Sequence, residues 1–244
     1  MKLTTTFVWG MAAAIATVAA VSSGSSAQAF TLPSSEQYYE RLDGRFGLEY
    51  DTWVKFNGFV NKEQKYLTSE ELTPLNIEDL TWEAGVNDVE VFFINEGAGY
   101  HNKFFFSTDN GETLTTIFEN ASSPHSILAN GGPLALGEGR NLGSFSGNTV
   151  LSFLLKNPNN NIYGADPTKN QDGLQHVTAF KADGFMILGF EDLDGGGDRD
   201  YNDVVVAIRG LVDTQEEPAA SVPEPTSILA FLGMGLLGMV ARRR

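Results

Sequence analysis

From Asp88 onward the chain is a series of short runs rich in Phe, Val, Ile and Thr, separated by turn-forming residues. Candidate strands are Val89 to Asn95, Lys103 to Thr108, Thr113 to Phe118, Thr149 to Leu155, Leu174 to Phe180, Phe185 to Phe190 and Val204 to Arg209. Between them lie Asp109-Asn110-Gly111, Asn130-Gly131-Gly132-Pro133, Asn157-Pro158-Asn159 and Asp172-Gly173. Short β-favouring runs bounded by such residues predict an all-β domain, a β-sandwich or jelly roll. Phe104-Phe105-Phe106 is apolar at consecutive positions, and successive strand side chains point to opposite faces. That strand is predicted to be covered on both sides.

The main domain is expected over residues 85–210, with residues 30–84 as an irregular N-terminal extension packed on it. Within the extension, Trp53 to Val60 is a candidate strand. Thr68-Ser69-Glu70-Glu71 has capping-box spacing for a short helix that Pro74 would limit.

The two ends predict export. Lys2 is followed by the uncharged Phe7 to Val21 and then by Ala27-Gln28-Ala29, the order of a signal peptide over residues 1–29 cleaved before Phe30. At the other end, a linker over 211–221 leads to Val222-Pro223-Glu224-Pro225-Thr226, an uncharged stretch to Ala241, and Arg242-Arg243-Arg244. As a helix, Thr226 to Ala241 would reach about 24 Å, against a hydrocarbon core of about 30 Å. This marginal span suits transient membrane insertion, with the arginines kept inside.

Removing both ends leaves twelve basic and thirty acidic residues, a net charge of −18. Such a surface argues against nucleic acid or anionic lipid as partner and favours cations. The chain has no cysteine, which excludes thiolate catalysis, thiolate metal sites and disulfides. Stability must come from core burial or bound ions.

The densest chemistry lies in Gly189-Phe190-Glu191-Asp192-Leu193-Asp194-Gly195-Gly196-Gly197-Asp198-Arg199-Asp200-Tyr201-Asn202-Asp203-Val204-Val205. Carboxylates crowded together repel unless a positive charge sits among them. Ca2+ takes six to eight oxygens in irregular geometry, so Asp192, Asp194, Asp198, Asp200, Asn202 and Asp203 are candidate ligands. The EF-hand spacing fails. Started at Asp198, it puts Asp203 where glycine is needed and Arg209 where the bidentate Glu belongs. Started at Asp192, it fits Gly197 and Asp203 but leaves Gly196 at a ligand position. A strand-to-strand Ca2+ loop is one reading; an Asp/Gly turn capped by its own amides, with Arg199 paired to a carboxylate, is the other.

The acidic run resembles the signature of the domain of unknown function 4114 family. Gly97 to Asn102, Thr149 to Leu155 and Asp172 to Val177 fit it too, so the resemblance spans about Ala84 to Gly210. It implies an all-β extracellular domain, with no activity attached. The Pro223-Glu224-Pro225 tail resembles a PEP-CTERM sorting signal, which implies an exosortase-type processing enzyme as partner in a Gram-negative or cyanobacterial host that exports polysaccharide.

His101, His125 and His176 fall in separate segments, and no G-x-S-x-G, H-E-x-x-H or P-loop is present. Glu83, Glu90 and Glu191 are the carboxylates a hydrolase reading would need, but spacing alone cannot pair them. The expectation is a non-enzymatic, Ca2+-stabilised structural or adhesive protein of the cell surface or matrix. The alternative is a module that binds extracellular polysaccharide through Tyr100 or Tyr163 beside Asn157 to Asn161.

Overall fold

The computed structural model describes residues 30–60, 73–74, 82–84, 87–128, 131–146 and 149–212. The expected signal peptide, the expected Thr68 to Glu71 helix, most of the expected linker and the sorting motif Pro223, Glu224 and Pro225 lie outside the described residues. No helix among the described residues is long and apolar enough to cross a membrane.

Among the described residues, two α-helices come first, α1 (Ser35–Leu42) and α2 (Tyr50–Asn57). Twelve strands follow: β1 (Thr73–Pro74), β2 (Trp82–Ala84), β3 (Val89–Asn95), β4 (Lys103–Ser107), β5 (Thr115–Phe118), β6 (Gly139–Gly143), β7 (Val150–Lys156), β8 (Ile162–Tyr163), β9 (Val177–Ala182), β10 (Phe185–Phe190), β11 (Val204–Arg209) and β12 (Leu211–Val212). One sheet has the order β1-β9-β10-β11-β3-β6; the other runs β12-β2-β7-β4-β5, with β8 beside β7. Every described pairing is antiparallel.

The sheets face each other through aromatic contacts. Phe104 of β4 meets Phe190 of β10 at 5.3 Å between ring centroids, and Phe93 of β3 meets Phe118 of β5 at 6.4 Å. The fold is therefore an all-β sandwich of two antiparallel sheets. The strands Val89–Asn95, Phe185–Phe190 and Val204–Arg209 follow the apolar pattern of the sequence residue for residue.

The outer face of the first sheet is apolar as well, and the helices cover it. Phe92, on the opposite face of β3 from Phe93, packs against Phe46 and Phe185, and Phe185 also meets Phe56 of α2. This explains why β3 and β11 are buried at consecutive positions. Phe105, between two strand neighbours, is likewise only 8% exposed.

Trp53 to Val60, expected as a strand, is instead helical over most of its length. Its residues favour strands, but within α2 Trp53, Phe56 and Asn57 are the buried ones, the i, i+3, i+4 spacing of a helix face. Trp53 stacks on Tyr38 of α1 at 5.0 Å and donates its indole N–H to the carbonyl of Ile94 at 3.1 Å. The preceding helix, α1, is started by a capping box between Ser34 and Gln37.

Candidate metal centre

One rim of the sandwich collects the ends of β3, β7 and β10 and the starts of β4, β9 and β11. The registers require this, because Asn95 opposes Val205, Phe190 opposes both Val204 and Val177, and Lys103 opposes Lys156. Residues 191–203 join β10 to β11 across that rim. Gly195, Gly196 and Gly197 take positive φ, as do Arg199 and Tyr201, and the loop coils back over the strand ends.

Coiling brings one carboxylate oxygen each of Glu191, Asp198 and Asp200 within 4.8 Å of one another. Glu191 and Asp200 are buried and Asp198 is exposed, so the cluster opens to solvent on one side. Glu191 is held from behind: Oε1 accepts from the Tyr201 amide at 2.8 Å. Oε2, fully enclosed, meets no hydrogen-bond donor among the described residues. Position 197 must be glycine for this, because a Cβ there would lie 2.1 Å from Oε2. An enclosed carboxylate oxygen with no donor is destabilising by about 1–3 kcal/mol or more, and a cation placed between the three carboxylates removes that penalty. The donor set is all oxygen, as a hard cation such as Ca2+ requires.

Electrostatics at the rim point the same way. Burial, reinforced by Asp198 and Asp200, pushes the Glu191 carboxyl up to about 7. Burial together with Asp192, Glu191 and Asp200 pushes Asp203 up to about 9. Burial also raises Asp192, against a hydrogen bond from Asn102 that favours its ionised form. Directly after β3, at the same rim, burial pushes Glu96 up to about 8. Each of these groups gives up its proton readily only if a positive charge arrives.

The six residues expected as ligands do not act as one set. Asp198 and Asp200 join the cluster. Asp194 turns away, accepting from the Asn161 side chain at 2.8 Å and from the Tyr163 hydroxyl at 2.9 Å. Asp192 accepts from Asn102 at 2.7 Å, and its amide donates to Asp203 at 2.8 Å. Asn202 donates its amide to Asp200 at 3.1 Å and packs its carboxamide oxygen against Gly97. Glu191, absent from the expected set, is the third member. Its place directly after an apolar strand was the available signal.

Arg199 makes no ion pair with a carboxylate among the described residues; it holds a left-handed turn, with its side chain beside Gly196. His176 is fully buried and stacked on Tyr163 at 4.0 Å. Its Nδ1 faces the Glu191 carbonyl at 3.1 Å and its Nε2 faces Asp172 at 2.9 Å. Both partners accept, so the ring satisfies both only with a proton on each nitrogen. Asp172 also accepts from the amides of Leu174 and Gly195. These bonds outweigh its burial and hold it down at about 2. Tyr163 is thus a buried strut with 0% exposure, and Asn157 is committed to the Asp192 carbonyl. Neither offers a sugar-binding platform.

No curated protein matches this chain. A solved structure of the Chromobacterium violaceum lectin CV2L in complex with alpha-methyl-fucoside aligns over 60% of this chain and 98% of its own, at 13% identity and a TM-score of 0.28, a likeness too low to bear on function. Residues 139–210, which include the whole acidic loop, match the domain of unknown function DUF4114. Residues 221–244 match the PEP-CTERM protein-sorting motif. Residues 139–210 of the chain are thus similar to the DUF4114 family, and residues 221–244 match a PEP-CTERM sorting motif, the signal of an exported, exosortase-processed protein.

Proposed function

We propose that this is a surface or matrix protein of a Gram-negative or cyanobacterial cell, whose exported β domain binds Ca2+ and has a structural or adhesive role rather than a catalytic one. The observation that carries the reading is the buried Glu191, whose Oε2 is enclosed without a donor and one of whose carboxylate oxygens lies within 4.8 Å of oxygens of Asp198 and Asp200. Calcium at that point would tie the β10–β11 connection to itself and offset the repulsion that raises Glu191. The strongly acidic surface would draw the ion in. The C-terminal segment would insert transiently for processing and then be lost. Metal analysis of the purified protein after dialysis against Ca2+ tests this. Retained calcium that falls in D198A/D200A is the expected result; calcium no higher than in the dialysis buffer contradicts it.

Extracellular polysaccharide is the second reading, and one feature favours it. A surface cleft of about 470 Å3 is lined by Arg45, Phe118, Asn120, Glu138 and Arg140 among others. Both arginines pair with the buried Glu138, and Arg140 also lies 5.2 Å over the Phe118 ring. Fixed charged and polar groups around an open cleft suit a hydroxyl-rich ligand, with the Phe118 ring itself buried beneath Arg140. A glycan array checks it: binding lost in R140A supports the reading, and silence against acidic and neutral polysaccharides contradicts it.

A further inference from the structure

We propose that the same rim holds a second Ca2+ site, built from Glu96, Asn102, Asp192 and Asn202 and distinct from the Glu191 cluster. It deepens the calcium reading but stands on different residues. Glu191 and Asp192 are adjacent in the chain, but their side chains take different partners: Glu191 accepts from the Tyr201 amide, Asp192 from Asn102.

Glu96 follows β3 and has 0% exposure. Its Oε1 accepts from the Ser126 hydroxyl at 3.0 Å and the Ser123 amide at 3.4 Å, but its Oε2 meets no donor among the described residues. Asn102, also 0% exposed, precedes β4. A carboxylate can only accept, so the Asn102 group facing Asp192 must be its NH2, and the amide orientation is set. Its Oδ1, turned the other way, is buried and meets no donor among the described residues. Asn202 sits against the backbone next to Glu96: a Cβ on Gly97 would lie 2.1 Å from its Oδ1, and the Gly97 amide donates to its carbonyl at 2.8 Å. Asp192 is close enough for its charge to act on Glu96.

Four chain segments therefore bring two carboxylates and two carboxamides into a buried place where the enclosed Oε2 and Oδ1 lack donors. Two carboxylates match the charge of a divalent cation, and an all-oxygen set with neutral amides suits Ca2+. Glycine at 97 fits the same purpose, since any side chain there would displace the Asn202 carboxamide. The rival occupant is a proton on Glu96.

Calorimetric titration of the calcium-stripped, intact protein with Ca2+ separates these. The expected result is two ions per chain, with one weakened at least about tenfold in E96Q and the other in D200N. Unchanged stoichiometry and affinities in E96Q overturn the proposal. So does a single ion lost in D200N, which leaves the Glu191 site standing alone. A single ion lost in E96Q but kept in D200N supports this site and removes the other; no binding removes both. Should E96Q fail to fold, N102A carries the same expectation and the same contradiction.

Discussion

At the scale of single residues, Gly197 and His176 decide whether the rim can hold its shape. Gly197 has φ of 48° and leaves no room for a Cβ against Glu191. The variant G197A should weaken calcium binding about tenfold or more, because the Glu191 carboxylate must swing aside. Calorimetric titration checks it, and unchanged affinity would count against Glu191 as a ligand. His176 bridges the Glu191 carbonyl and Asp172. H176F should lower stability by about 1–3 kcal/mol, measured by urea denaturation, because the Glu191 carbonyl loses its donor while Asp172 keeps the Leu174 and Gly195 amides. The acidic composition of the loop was legible in the sequence; the division of labour was not. Spacing treats Asp194 and Asp198 alike, while the left-handed turns at 195–197, 199 and 201 send them to different partners. Glu191 falls outside the candidate ligands read from the sequence for the same reason. Its role depends on the Tyr201 amide and on the missing side chain at 197, which only the folded loop brings to it.

At the scale of elements, β3 is the hinge between two apolar layers. Phe93 faces the second sheet and Phe92 faces the helical cover. Residues 30–60 therefore complete the core, and F56A should destabilise the whole domain by about 3–5 kcal/mol, as in other large-to-small core changes. Thermal unfolding should remain a single transition; a separate early loss of helix would contradict this. The strong strands were readable because their side chains are apolar wherever burial demands it. Trp53 to Val60 was misread because Trp, Val and Phe favour strands, and the covering of Ile94 and Phe185 by α2 overrode that preference. Strand β6 was invisible for the opposite reason. Arg140 and Asn141 are exposed, and the strand is held chiefly by backbone pairing to β3.

At the scale of the whole molecule, the raised carboxyls couple stability to pH. Glu191 at about 7, Glu96 at about 8 and Asp203 at about 9 all lie above the roughly 4 of an unfolded chain. The folded state therefore keeps protons that the unfolded state releases. These groups' contribution is full below about pH 4 and is lost as pH rises through about 7 to 9. In chelator, Tm should fall between pH 5 and pH 9, and saturating Ca2+ should flatten the decline, since the ion favours the ionised forms. Scanning calorimetry across that range checks both. A Tm rising with pH in chelator would contradict the burial of these groups. Export was legible from the C-terminal tail of the sequence because sorting machinery reads short linear patterns. A calcium site has no such linear form here, and its existence is the central claim. The direct test is the Tm of the intact protein at pH 8 in Ca2+ and in chelator. A rise of roughly 5–10 °C is expected for each site at about 100 times its dissociation constant, with the share of the Glu191 site gone in D200N. Identical Tm values in the two solutions would contradict the claim.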